Sequence, residues 1–225
     1  MHALILADGD APTRTILDAT WSGWADDVAL VIAADGGARH ASELGVPIDR
    51  WVGDGDSVTD ATLAALLDAG VGVDRAPIAK DESDAELAVA AALAAGARRI
   101  TIVGALGGRR FDHALANVGL LSMPELVGLD VRIVAGTTRL RLLAGPGHDG
   151  SPVGCELSGR VGDIISLLPF GEDVTGVTTR GLRYPLHDEP LLVGRTRGLS
   201  NVREAMSAFV TLRTGRLLVV ESATL

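Results

Sequence analysis

Val28-Ala29-Leu30-Val31-Ile32-Ala33-Ala34-Asp35-Gly36-Gly37-Ala38 is seven apolar residues followed at once by an acid and two glycines. An apolar run without polar alternation suits a strand covered on both faces, the usual situation in a parallel sheet. The run therefore reads as a strand over 28–34. Glycines directly after a strand let backbone N–H groups approach a ligand, or make a tight turn into a helix. A short helix to Leu44 follows, with Gly45 as its stop.

The same arrangement recurs on either side. Ala3–Ala7 reads as a strand closed by Asp8-Gly9-Asp10, and Pro12 to Thr20 is a weak helix candidate. Trp51-Val52 leads into Gly53-Asp54-Gly55-Asp56-Ser57, and a helix over 60–69 stops at Gly70. A brief strand over 71–76 precedes Lys80-Asp81-Glu82-Ser83-Asp84-Ala85-Glu86. Ser83-x-x-Glu86 has the form of a capping box, opening a helix over 84–95 that ends at Gly96. A strand over 99–103 runs into Gly104-Ala105-Leu106-Gly107-Gly108-Arg109-Arg110-Phe111-Asp112-His113. A helix to about Leu121 and a strand over 131–135 complete the series.

Strands alternating with helices imply right-handed crossovers and a parallel sheet. Ligands of such sheets bind beyond the carboxyl ends of the strands. Asp35, Asp54, Asp56, Asp81, Asp84 and the 104–112 loop all fall at those ends. Motifs scattered without function would land on both edges.

The pattern changes near residue 137. Short segments rich in Leu, Val and Thr follow at 140–144, 153–157, 163–168, 174–178, 208–213 and 217–221, split by Gly and Pro. Strands at this spacing without helices indicate an antiparallel sandwich or barrel. The expected organisation is an α/β domain with a mostly parallel sheet over 1–137 and an all-β domain over 138–225.

Hydrophobic residues make up 47% of the 225, enough for a packed core, and aromatics only 3%, so Ala, Val, Leu and Ile must build it. A net charge of −9 argues against a nucleic-acid or anionic-membrane binder, since either needs a basic face. The longest apolar run, 87–97, is about half the length of a membrane span. Met1 to Leu6 lacks a basic leader and reads as a strand, not a signal peptide. Cys155 is the single cysteine, which excludes an internal disulfide and a cysteine-based zinc site and fits a reducing cytoplasm. Lys80 is the only lysine beside 19 arginines, and it follows Ala79, so no P-loop exists here.

Asp54, Asp56, Asp81 and Asp84 lie within one short span of sequence. Two carboxylates 4 Å apart repel by about 1 kcal/mol in water and roughly four times that at an effective dielectric of 20. A fold that gathers them needs a cation, and hard oxygen ligands suit Mg²⁺ carrying a nucleotide. Taken singly, each stretch also reads as an Asp-Gly turn or a helix cap. Arg109 and Arg110 could fork onto a phosphate or lie exposed. Asp112 suits a helix N-cap. His113 reads as a surface or core histidine before a general base, Ser200-Asn201 as a turn, and Trp21, Trp24 and Trp51 as packing residues.

The order Asp-Gly-Gly-Ala, Gly-Asp-x-Asp-Ser, Lys-Asp-x-Ser-Asp-x-Glu, Gly-Gly-Arg-x-Phe-Asp-His, then a β-rich tail with Ser-Asn, resembles the thiamine pyrophosphokinase family over nearly the whole chain. The resemblance implies transfer of a diphosphoryl group from ATP to the hydroxyl of thiamine, with Mg²⁺, releasing AMP. It implies that Asp54, Asp56 and Asp84 hold the metal with Asp81 close by. Asp35, Gly36, Gly37, Gly107, Gly108, Arg110 and Asp112 would line the nucleotide and phosphate path. Lys80, Asp84, Ser200 and Asn201 would touch substrate. It further implies a homodimer with sites at the subunit interface. Rival readings are a diphosphokinase for another alcohol, such as a hydroxymethyl pterin, and a binding module without turnover.

Overall fold

Six parallel strands carry the N-terminal region in the computed structural model, which describes residues 1–224. In chain order the elements are β1 (His2–Leu6), α1 (Arg14–Thr20), β2 (Val28–Ala34), α2 (His40–Leu44), β3 (Arg50–Gly53), α3 (Asp60–Asp68), β4 (Gly72–Arg75), α4 (Asp84–Ala94), β5 (Arg99–Val103), α5 (Phe111–Leu120) and β6 (Asp130–Ala135). The strands lie in the order β6-β5-β1-β2-β3-β4. Each pair of neighbours is parallel. β2 and β5 have the bounds read from the sequence, and in each the last four residues are buried.

All five residues of β1 are buried, as befits the centre of the sheet. Leu17, Trp21, Trp24 and Leu44 cover Leu4, Leu6 and Val31, while Trp51 packs with Ala33, Leu63 and Val71. The three tryptophans are thus packing residues, as expected. α4 buries Ala85, Ala88, Val89 and Ala92. Such small side chains let a helix lie close to a sheet.

The chain leaves β4 at one edge and returns as β5 beside β1, so the strand order reverses there. The loops after β1 and β5 are tied together at that point. Gly9 N donates to Gly104 O at 2.7 Å, and Asp10 N donates to Leu106 O at 2.9 Å.

The C-terminal region is all β: β7 (Thr138–Gly145), β8 (Val153–Glu156), β9 (Ile164–Pro169), β10 (Val174–Arg180), β11 (Glu189–Leu191), β12 (Asn201–Val202), β13 (Phe209–Leu212) and β14 (Gly215–Ser222). One antiparallel set runs β12-β9-β14-β7 and a second runs β11-β10-β13-β8. Ile165, Leu167, Leu217 and Val219 of the first set meet Val174, Val177, Val210 and Leu212 of the second in one core. That is a sandwich, one of the two expected forms. β11 and β12 have only three and two residues, too few to show a two-residue period.

The chain divides into two units, Met1–Met123 with Leu129–Gly136, and Pro124–Gly128 with Thr137–Leu225. Among the described residues no helix is long and apolar enough to cross a membrane.

Candidate active site

At the end of β2 the chain enters a 3-10 turn, Asp35–Arg39. Asp35 has φ 43°, in the left-handed region. A non-glycine residue there costs about 1–3 kcal/mol and persists only where its surroundings hold it. They do so from two directions. Trp51 Nε1 donates to Asp35 O at 3.0 Å, and Ser57 N donates to Asp35 Oδ2 at 3.0 Å. Gly53 leaves room for the Asp35 side chain: a Cβ at 53 would stand 2.9 Å from Asp35 Cβ. Gly37 lets the turn press on the end of β1, where an added Cβ would come within 2.0 Å of Leu6 O.

Asp54 follows β3, and its Oδ1 accepts from Asp56 N at 3.1 Å, closing a tight turn. Asp84 opens α4, whose N-cap Ser83 accepts from Glu86 N at 3.2 Å. The predicted cap is therefore present, and it fixes Asp84 at a helix N-terminus, where negative charge is favoured.

These three loops bring Asp35, Asp54 and Asp84 together. One carboxylate oxygen from each lies within 4.8 Å of the other two. Asp35 is only 2% exposed, and its Oδ1 has no hydrogen-bond partner among the described residues. Burial pushes its carboxyl above the ordinary range, with the Asp84 charge adding to this and hydrogen bonds from Ser57 opposing it.

Lys80 reaches into the same cluster, with Nζ 2.6 Å from Asp54 Oδ2 and 3.0 Å from Asp84 Oδ1. Its hydrogen bond holds the Asp54 carboxyl below the usual value. Burial works against the ammonium, but the two carboxylates outweigh it and hold its pKa above normal.

The donor set fits a hard divalent cation. Mg²⁺ takes carboxylate oxygens of this kind, and three of them within 4.8 Å of one another are near enough to serve one ion. An unpartnered buried carboxylate oxygen is the kind of acceptor such an ion satisfies.

Of the residues the resemblance implied for the metal, Asp54 and Asp84 are in this grouping and Asp56 is outside it. Asp56 is exposed and accepts from Ser57 Oγ at 2.9 Å. Asp35, implied for the nucleotide path, is the third member of the grouping. Asp81 is exposed and outside the grouping.

A groove of about 420 Å³ adjoins the cluster through Gly36 and Ser57, with Arg39, Thr59, Thr62 and Leu66 along it. Arg39 pairs with the Asp8 carboxylate and donates to Gly36 O at 3.0 Å and Gly9 O at 3.1 Å. It straps the 3-10 turn to the loop after β1. Sequence reading passed over Arg39, although Asp8 closes a strand in the same way as Asp35.

Gly107 and Gly108 are exposed with φ 78° and 75°. Arg110 grips Asp112 with two hydrogen bonds, Nε to Oδ1 at 2.9 Å and Nη2 to Oδ2 at 2.6 Å. The pairing holds the Asp112 carboxyl well below the ordinary range. Asp112 does not cap the helix as its position suggested. The N-cap of α5 is Arg110, which makes no side-chain cap bond. Both Arg109 and Arg110 are exposed, as is His113.

In the all-β unit, Ser200 is exposed at φ 56°, and its N donates to Ser166 Oγ at 3.1 Å. Asn201 is 8% exposed. Its Oδ1 accepts from Tyr184 N at 3.0 Å and Val202 N at 2.9 Å, and its Nδ2 donates to Tyr184 O at 2.7 Å. The amide is thus engaged in holding the backbone of Tyr184, whose side chain is exposed. Nothing in local sequence links residues 184 and 201.

The chain and its fold are similar to those of known proteins. A family model described as thiamin pyrophosphokinase, catalytic domain, matches residues 22–133. A second, described as thiamin pyrophosphokinase, vitamin B1 binding domain, matches residues 153–217. A thiamine pyrophosphokinase of Bacillus subtilis (strain 168) is 28% identical over 219 residues, 97% of each chain. The crystal structure of thiamine pyrophosphokinase from Bacillus subtilis superposes with a TM-score of 0.83 at 26% identity, covering 100% of both chains. That of thiamin pyrophosphokinase from Geobacillus thermodenitrificans gives 0.79 at 27% identity, covering 100% of this chain and 98% of that one.

Proposed function

The chain belongs to the thiamine pyrophosphokinase family, whose reaction moves a diphosphoryl group from ATP to the hydroxyl of thiamine and releases AMP, and we propose that Asp35, Asp54 and Asp84 hold the Mg²⁺ of that reaction. The observation that carries this is the buried, unpartnered Oδ1 of Asp35 beside two further carboxylates. Asp56 stands at the rim, two residues from Asp54.

Bound there, Mg²⁺ supplies positive charge to the phosphate oxygens as the AMP leaving group departs. The chain's own residues do the rest. Attack by the thiamine hydroxyl on the β-phosphorus must be in line, so positioning dominates. The groove beside Gly36 and Ser57 supports seating of the nucleoside, with Gly36 N–H and Gly37 N–H near the phosphates. Arg110, on its glycine-rich loop, exchanges Asp112 for a phosphate oxygen and acts as a second clamp. Asp112, released from that pair, or Asp81 orients the attacking hydroxyl. In the all-β unit, Ser200 and the Tyr184 ring contact thiamine, and Asn201 acts by holding Tyr184 in place.

We further propose a homodimer whose interface completes the site, in a reducing cytoplasm consistent with the single Cys155. Light scattering at micromolar concentration tests the dimer, and a monomer rejects it.

The reaction is tested by AMP release from ATP and Mg²⁺ with and without thiamine, using mass spectrometry to detect thiamine diphosphate. Thiamine-dependent AMP with thiamine diphosphate is expected. AMP formed only with a hydroxymethyl pterin moves the substrate to another alcohol. Binding without AMP leaves a module without turnover.

A further inference from the structure

Lys80 is the only lysine in a chain with 20 basic side chains, and it sits among the carboxylates. Its side chain is 11% exposed. Among the described ion pairs, Asp54 and Asp84 have no other basic partner. Both oxygens of Asp54 are engaged, Oδ1 by Asp56 N and Oδ2 by Lys80. A cation that takes Asp54 and Asp84 therefore meets the ammonium already there. Three ionised carboxylates and one ammonium leave two negative charges, the complement of one divalent ion.

Residue type and placement suit exchange. Lysine is a compact point charge with rotatable donors on a flexible stem, whereas arginine presents a rigid fork. Lys80 lies in the loop ahead of α4, not in the helix, while Asp84 is fixed at the helix start by the Ser83 cap. The ammonium can leave without moving the carboxylates.

We propose that Lys80 is a displaceable counter-ion. It holds Asp54 and Asp84 in the metal-free chain, yields them to the arriving divalent cation, and then pairs with an oxygen of the phosphate chain that the cation carries. This rests on the metal reading above.

The test is calorimetric titration of wild type, Lys80→Gln and Asp54→Asn. Each is titrated first with Mg²⁺ alone, then with a non-hydrolysable ATP analogue in saturating Mg²⁺. Lys80→Gln is expected to bind Mg²⁺ at least fivefold more tightly than wild type and the analogue at least fivefold more weakly. Opposite signs are the signature, since a merely structural lysine would weaken both. Unchanged or weaker Mg²⁺ binding in Lys80→Gln, beside a wild type that binds and an Asp54→Asn that does not, overturns the counter-ion role alone. Equal Mg²⁺ binding in Asp54→Asn and wild type overturns the metal reading, and this role with it.

A second measurement needs no variant. Lys80 carries the only lysine amine of the sequence. On treatment with acetic anhydride, Mg²⁺ is expected to raise the acetylation rate of Lys80 at least threefold, and the ATP analogue to lower it again. Acetylation indifferent to Mg²⁺ overturns the proposal.

Discussion

The indole Nε1–H of Trp51 donates to the backbone carbonyl of Asp35 across 3.0 Å in a buried setting. A core tryptophan on β3 thus holds a strained residue at the end of β2. Trp51→Phe keeps most of the packing and removes the donor. The expected loss is about 1–2 kcal/mol, several degrees in Tm for a chain of this size. Mg²⁺ affinity is expected to fall as well, because Asp35 is no longer held in the left-handed region. Scanning calorimetry and Mg²⁺ titration check both.

Burial raises the Asp35 carboxyl above its ordinary 3.8. Between 3.8 and the raised folded value, the folded chain keeps a proton that the unfolded chain has released. Stability therefore falls as pH rises through that window. Above the window the ionised carboxylate carries its full burial cost, and below it the cost is absent. Asp35→Asn keeps an acceptor for Ser57 N and removes the charge. Without Mg²⁺ near neutral pH its Tm is expected to exceed that of wild type. The gain shrinks as pH falls through the window. Saturating Mg²⁺ reverses the order. Thermal melts with EDTA or Mg²⁺ across pH check the sign.

Asp54 and Asp84 share Lys80 and face Asp35. Asp54→Asn and Asp84→Asn are each expected to lower turnover at least a hundredfold, about 2.7 kcal/mol of transition-state stabilisation, with circular dichroism unchanged. Near-normal turnover in both variants rejects the metal assignment.

Ser83 caps α4 through Glu86 N. Ser83→Ala is expected to cost about 1 kcal/mol, or roughly 2–4 °C in Tm. Because Asp84 is the first residue of that helix, Mg²⁺ affinity is expected to drop with the cap. Ser83→Asp, which restores a capping oxygen, should recover the Tm.

Much of the fold was legible in sequence. The segments at 28–34 and 99–103 became β2 and β5 with the same bounds, because the apolar residues that dominate both are the ones a sheet covered by helices buries. The loss of helices after residue 137 marked the all-β sandwich. β11 and β12 stayed hidden because three and two residues carry no period.

Sequence alone determined that the acidic motifs stand at the carboxyl ends of parallel strands, since the alternation of strand and helix leaves them no other edge. It also determined the Ser83 cap, a matter of contacts three residues apart. Only the tertiary structure decided which carboxylates meet. Asp35 enters the cluster while Asp56, two residues from Asp54, turns to Ser57. It also joined Lys80 to Asp54 and Asn201 to Tyr184. Strand position follows from hydrophobic burial, which a linear pattern records. Side-chain pairing across loops depends on rotamers and backbone turns set by packing, and residues 17 to 49 apart in sequence leave no local trace of it.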